Sequence, residues 1–190
     1  MRTKDELREY LAMDKKALHI PEKRRLPKLF NDEIWKFEIF LRKREYYTDC
    51  GGKLRYIPLA YYSWRFYRLA VRLGYSIPIH AFGAGLSIAH RGTIVVNGNA
   101  RIGKWCRIQE CVTIGATNGS DKAPRLGDRV FIGSGARIIG DIDIASGVAI
   151  GAGAVVVKSC DEENVTLAGV PAKVVSRNGS RSMIDDGAER

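Results

Sequence analysis

Residues 126–156 read LGDRVFIGSGARIIGDIDIASGVAIGAGAVV. Within this stretch Leu126, Ile132, Ile138, Ile144, Ile150 and Val156 stand six apart, and upstream Ile102, Ile108 and Ile114 keep the same phase. Only position 120, inside the polar stretch 116–125, lacks its aliphatic. Glycine often follows the aliphatic directly, as at Gly103, Gly115, Gly127, Gly133 and Gly151. A second small or apolar residue follows four positions on, at Cys106, Val112, Ala136, Val148 and Ala154. Neither a helix, with period 3.6, nor a half-buried strand, with period 2, produces this pattern. A parallel β-helix does: each six-residue rung is a short strand and a corner, and its aliphatic points into a narrow prism. Three rungs make one coil, so residues 18 apart are expected to stack along one edge, and residues 77–157 supply about four and a half coils.

On that register Gly115, Gly133 and Gly151, with their successors Ala116, Ser134 and Ala152, form one column of small residues. Such a column lets a long, thin, amide-bearing ligand approach backbone groups repeating at about 4.8 Å. Tight-turn geometry is the alternative reading of the glycines. Nearer the start the phase slips. Ile88 and Ile94 are six apart, Ile94 and Ile102 eight. Counted from Ile88, His90 is the third residue of its rung and points outward near a corner, whereas counted back from Ile102 it would fill an interior slot; the local count is preferred, since an imidazole in a dry aliphatic prism would lack partners.

The first 76 residues follow a different pattern. A charged helix is expected from Asp5 to Leu18, then a proline-punctuated linker from Pro21 to Pro27. A second helix, capped by Asn31 or Asp32, runs to about Tyr47 with Ile34, Phe37 and Leu41 on one face. A third runs from Pro58 to Leu73 and stops at Gly74. This region holds 18 Lys or Arg against 10 Asp or Glu, a net +8 of the chain's +10, and is rich in aromatics. A solvated helix face over an aromatic core is one explanation, and a surface for nucleic acid, an anionic membrane or a phosphorylated acceptor is the other. Nucleic acid is disfavoured because no reading motif accompanies the charge.

No run approaches 18 apolar residues, which excludes a spanning helix, and the charged N-terminus lacks an apolar signal region. The four cysteines form no CxxC pair and the three histidines show no ligand spacing, so neither a disulfide framework nor a metal site is expected. The cytoplasm is the expected location. Residues 178–190, polar and proline-free, are expected to form a flexible tail.

The hexads, the segment Gly85-Leu-Ser-Ile-Ala-His90 with Gly92 and Ile94-Val-Val, the segment Val112-Thr-Ile-Gly115, and the closing Ala168-Gly-Val-Pro-Ala-Lys173 together resemble the left-handed β-helix acyltransferases, and within them the serine acetyltransferase-like branch. The resemblance covers about residues 75–177. It implies a mainly β chain, with a left-handed β-helix at 77–177 behind the short helical region 1–76, and a homotrimer with active sites between neighbouring prisms. It also implies acetyl-CoA as donor and no metal. By this likeness His90 is the general base. Gly115, Ala116, Gly133, Ser134, Gly151 and Ala152 hold the donor's pantetheine arm, and Lys158 and Lys173 meet its phosphates. Asn118 and Lys122 lie where the acceptor binds. A covalent route through Cys111 is the minor alternative.

The chain departs from that branch at particular positions. Ala89 stands where an acidic residue precedes the base, and Tyr75 and Ser76 stand where an aspartate orients it. Ala123 stands where a second histidine precedes proline, although Lys122 keeps a basic residue beside it. Losing partners for a zwitterion while keeping base and donor edge points to a neutral hydroxyl, such as a sugar of a surface polysaccharide or its precursor. The basic N-terminal region would then suit a lipid-linked acceptor and peripheral placement at the inner membrane face. L-serine is the alternative acceptor, and a non-catalytic β-helix scaffold is the alternative of another class.

Overall fold

The computed structural model describes residues 1–117 and 119–184. From Tyr75 onward short strands wind into a three-faced parallel β-helix. One face, A, stacks β1 (Tyr75–Ser76), β3 (Ile94–Val96), β6 (Val112–Gly115), β9 (Arg137–Ile139) and β12 (Val155–Val156). Face B holds β4 (Arg101–Ile102), β7 (Arg125–Leu126) and β10 (Asp143–Ile144). Face C holds β2 (Ser87–Ile88), β5 (Arg107–Ile108), β8 (Phe131–Ile132), β11 (Ala149–Ile150) and β13 (Thr166–Gly169), closed by the antiparallel β14 (Ala172–Ser176). All nine phased aliphatics are buried in the prism, as are Cys106, Val112, Ala136, Val148 and Ala154. Hexad spacing thus translates directly into core.

The coil repeat is not uniform. Ile132 pairs with Ile150 and Leu126 with Ile144, both steps of 18, but Ile102 pairs with Leu126, Ile108 with Ile132 and Ile114 with Ile138, steps of 24. Between β6, which ends at Gly115, and β7, which begins at Arg125, stand nine residues, so Ile114 and Leu126 are twelve apart across one corner instead of six.

Three helices sit at the open N-terminal end: α1 (Lys4–Ala17), α2 (Glu33–Asp49) and α3 (Tyr56–Leu73). Thr3 and Glu6 form a capping box at α1. Gly74, at φ 81°, ends α3 in the left-handed region, as expected. Asp32 occupies the N-cap position of α2 but makes no side-chain cap bond. Its carboxylate instead accepts from the Lys28 amide and pairs with Arg24, which differs from the capping role expected of it.

An end coil exposes strand amides that need acceptors. Carboxylates from the helices supply them. Asp14 Oδ1 accepts from the amides of Gly85 (2.8 Å) and Leu86 (2.9 Å), Glu38 Oε1 from Ile88 (3.2 Å), and Glu45 Oε1 from His80 (2.7 Å). Arg42, fully buried, binds Asp14 and Glu45 and donates to the carbonyls of Phe82 (2.9 Å) and Gly83 (2.6 Å). Phe37 and Leu41, on the predicted face of α2, are buried beside this network, with Ile34 partly buried.

Within the described part of the expected tail, one residue is packed. Ser180 is buried, its amide donates to Gly147 O at 2.9 Å and its hydroxyl to Arg129 O at 2.5 Å. Ser180 is thus anchored on two backbone carbonyls of the prism, while Asn178 and residues 181–183 on either side of it are exposed. Residues 185–190 lie outside the described residues.

Candidate functional site

The strand after which a residue falls decides its corner. Ile88, Ile108, Ile132 and Ile150 align on face C, so the residues two positions on, His90, Glu110, Ser134 and Ala152, follow one another up the corner between faces C and A. His90 is exposed there, in the outward orientation the local count predicts. Its backbone is anchored. The Tyr75 hydroxyl donates to His90 O at 2.7 Å, and burial pushes the Tyr75 phenol well above its ordinary value, so it remains a donor. On the next residue, Arg91 pairs with Glu33 of α2 at 2.8 Å, and Arg72 of α3 binds the same carboxylate at 2.8 Å.

Glu110 stands one coil from His90, and the sequence reading passed over it. Its Oε1 accepts the Ser134 hydroxyl at 2.5 Å, while its Oε2 is shielded and has no hydrogen-bond partner among the described residues. The Ser134 hydroxyl first, then a backbone amide and the positive potential of His90, hold the Glu110 carboxyl below the usual carboxylate range. Gly92, at φ 136°, makes room for it: a Cβ there would lie 2.9 Å from Glu110 Cβ. The column thus offers an exposed imidazole, an ionised carboxylate with one free oxygen, and a hydroxyl fixed on the other oxygen. No spacing rule marks Glu110, because it becomes a neighbour of His90 only through a pairing offset of 20 residues.

The expected single column of small residues is corrected. Gly133 with Ser134 and Gly151 with Ala152 do stack, since both pairs follow face C strands. Gly115 closes a face A strand and pairs with Ile139, so Gly115 and Ala116 lie at the corner between faces A and B. The 116–125 loop shifts them off the shared edge. There the next residues in register with Ala116 are Gly140 and then Lys158, by way of Ile114–Ile138 and Val156–Ile138. The predicted donor residues therefore divide between two corners. Lys158 is exposed at one of them, and Lys173 is exposed on β14.

Lys122 does not offer a free charge. Its Nζ binds Asp141 at 2.9 Å, and Arg125 binds Asp141 (3.0 Å) and Asp143 (2.7 Å), so the loop is stapled onto face B. Ala123 is buried in the core and not available to an acceptor. Asn118 lies outside the described residues. Cys111, adjacent to Glu110, is exposed and unpaired by any disulfide.

No family model matches the chain. Over 115 residues it is 35% identical to a serine acetyltransferase of Synechococcus elongatus, covering 58% of this chain and 47% of the relative. It is 36% identical over 115 residues to the serine acetyltransferase of Escherichia coli K12, covering 58% and 42%. The chain thus spans less than half the length of these two relatives. Among solved structures, the serine acetyltransferase of Neisseria gonorrhoeae superposes with a TM-score of 0.69 at 29% identity, covering 93% of this chain and 68% of that one. The Brucella abortus serine acetyltransferase in complex with coenzyme A gives 0.69 at 26% identity, covering 93% and 70%. In sequence and in fold alike, the chain is similar to the serine acetyltransferase-like, left-handed β-helix acyltransferases.

Proposed function

We propose that the chain is an acetyl-CoA-dependent O-acetyltransferase in which His90 serves as general base. The observation that carries this reading is the exposed His90 at the head of the Glu110–Ser134–Ala152 column, in a fold shared with named acetyltransferases. Neutral imidazole removes the proton of an acceptor hydroxyl as its oxygen attacks the thioester carbonyl, and CoA leaves as the thiol, taking that proton from the imidazolium. The Glu110 charge steadies, through space, the imidazolium that forms. Gly133, Ser134, Gly151 and Ala152 at one corner, and Ala116 and Lys158 at the other, hold the pantetheine and phosphates. Donor residues on two corners of one prism suit a groove built between neighbouring prisms of a homotrimer.

L-serine is the first acceptor, as the relatives' names support. A sugar hydroxyl is a second reading, favoured by one specific feature: Lys122 is paired with Asp141 and Ala123 is buried, so neither position offers a cation to a serine carboxylate. The discriminating experiment follows free CoA thiol released from acetyl-CoA with L-serine or a panel of free and lipid-linked sugars. We expect acceptor-dependent release, reduced roughly 10²–10⁴-fold in His90→Ala. Serine-dependent release decides for the first reading, sugar-dependent release for the second. Absence of CoA binding would favour the scaffold alternative.

A further inference from the structure

The fold leaves one face of α3 without a partner. Phe66, Ala70 and Leu73 on its inner side are buried. On the opposite side Ile57, Tyr61, Trp64, Arg68 and Val71 follow one line at helical spacing, all exposed, Ile57 and Val71 by 77% and 84%. Leu54, just before the helix, is 86% exposed between Lys53 and Arg55. From Tyr56 to Leu73 there is no acidic residue and there are three arginines. Two of these are braced on the aromatics: Arg68 lies 5.3 Å from the Trp64 ring centre, and Arg65 lies 5.0 Å from Phe40 and 6.0 Å from Tyr61.

The linker between α1 and α2 repeats this chemistry. Residues 21–30 read PEKRRLPKLF, and Leu26, Leu29 and Phe30 are exposed among Lys23, Arg25 and Lys28. Both stretches meet at the first turn of α2, where Arg72 binds Glu33 and Lys36 Nζ donates to Leu29 O at 2.7 Å.

Scattered exposed apolar residues need no explanation, but an aligned row of them on a helix with three arginines and no acidic residue does. A second copy of the chain fits poorly. A two-fold contact would bring an arginine-rich helix face with no acidic residue from Tyr56 to Leu73 against its own copy. An anionic lipid surface meets both halves of the chemistry, phosphates for the arginines and the acyl boundary for the leucine, isoleucine, valine and tryptophan. No helix among the described residues is long and apolar enough to cross a membrane, so the mode is lying on the surface.

We infer that the outward face of α3, with the basic-apolar segment 21–30, docks the protein onto an anionic phospholipid surface. This is independent of the acetyl-transfer reading.

The test is co-sedimentation of the full chain with vesicles of phosphatidylcholine alone or with about 30 mol% phosphatidylglycerol, at about 0.1 M salt and again at about 1 M. Binding is expected only to the anionic vesicles and is expected to weaken at high salt. The combined Ile57→Ser, Trp64→Ser, Val71→Ser variant is expected to lose it. The Lys53→Gln, Arg68→Gln variant is expected to weaken it roughly ten-fold or more. Val175→Ser, exposed at the far end on β14, is expected to leave it unchanged. CoA release with soluble acceptors should stay the same in all of these, so failure of docking and failure of catalysis are separately visible. Equal binding to neutral vesicles, no binding to either, or undiminished binding of the triple serine variant would each overturn the proposal. So would sedimentation velocity showing that the triple variant breaks an assembly of the wild-type chain that does not bind vesicles, because a second copy would then occupy the face.

Discussion

At the residue scale, His90 gains its chemistry from what stands one coil away. Glu110 is held ionised by Ser134 and keeps an oxygen unpartnered. An imidazolium forming above it during proton transfer is stabilised by that charge, whereas a carboxamide of equal size supplies only a dipole. The influence acts through space and not through a hydrogen bond to the imidazole, so Glu110→Gln is expected to lower kcat by a modest factor, roughly 3- to 10-fold. KM for acetyl-CoA should change little, and Glu110→Asp should recover part of the loss. Steady-state kinetics on the three proteins checks this. A Glu110→Gln enzyme with unchanged kcat would reduce Glu110 to a packing residue under Gly92.

At the element scale, the helices are bolted to the prism through ions and not through apolar surface alone. Burial pulls the Arg42 guanidinium toward neutrality, but Asp14 and Glu45 outweigh it and hold the group charged. Arg42→Met strands those carboxylates and is expected to destabilise the chain by about 3–5 kcal/mol in urea unfolding. Glu38 behaves in the opposite sense. Burial first, then the nearby Asp14 charge, push its carboxyl well above the ordinary value, against weaker pulls from the Ile88 amide and Arg42. Its contribution is therefore complete below the ordinary glutamate value and is lost as pH rises through the raised one. Glu38→Gln keeps the oxygen that accepts from Ile88 and removes the titration. The variant should match the wild type at about pH 4 and exceed it increasingly toward about pH 8, by urea unfolding. Equal stability at both pH values would show that Glu38 is not held neutral. None of this network was legible beforehand: the helix pattern marked Phe37 and Leu41 as core, but charged Asp14, Glu38, Arg42 and Glu45 look solvated until the strand amides they serve are known.

At the scale of the whole molecule, one prism divides the proposed donor residues between two corners. A homotrimer is expected to bring the His90 corner of one prism against the Ala116–Gly140–Lys158 corner of the next. Sedimentation should then give three times the 21.1 kDa chain mass. Two inactive variants, His90→Ala and Ala116→Trp, should restore part of the activity when co-expressed, because some grooves would combine the two intact corners. Activity that stays absent in the mixture while each variant forms trimers would place both corners' work within one chain. The gain from co-expression, read as CoA release, is the measurement.

The hexad phase by itself determined the β-helix and its core, because every sixth residue meets the same dry interior whatever surrounds it; the outward placement of His90 needed the local count from Ile88 as well. Helix positions and the stop at Gly74 were equally local, set by spacing and by one left-handed residue. Only the tertiary structure decided which residues share an edge. The stretch between Gly115 and Arg125 lengthens one coil at little entropic cost, and nothing in its spacing tells which corner it crosses, so a repeat of 18 becomes 24 there. That shift removed Gly115 and Ala116 from the column, and the offset of 20 between Ile88 and Ile108 brought in Glu110 beneath His90. The packing of Ser180 and the burial of Arg42 belong to the same class. Each depends on backbone groups left unpaired at the prism's ends and corners, which no local pattern records.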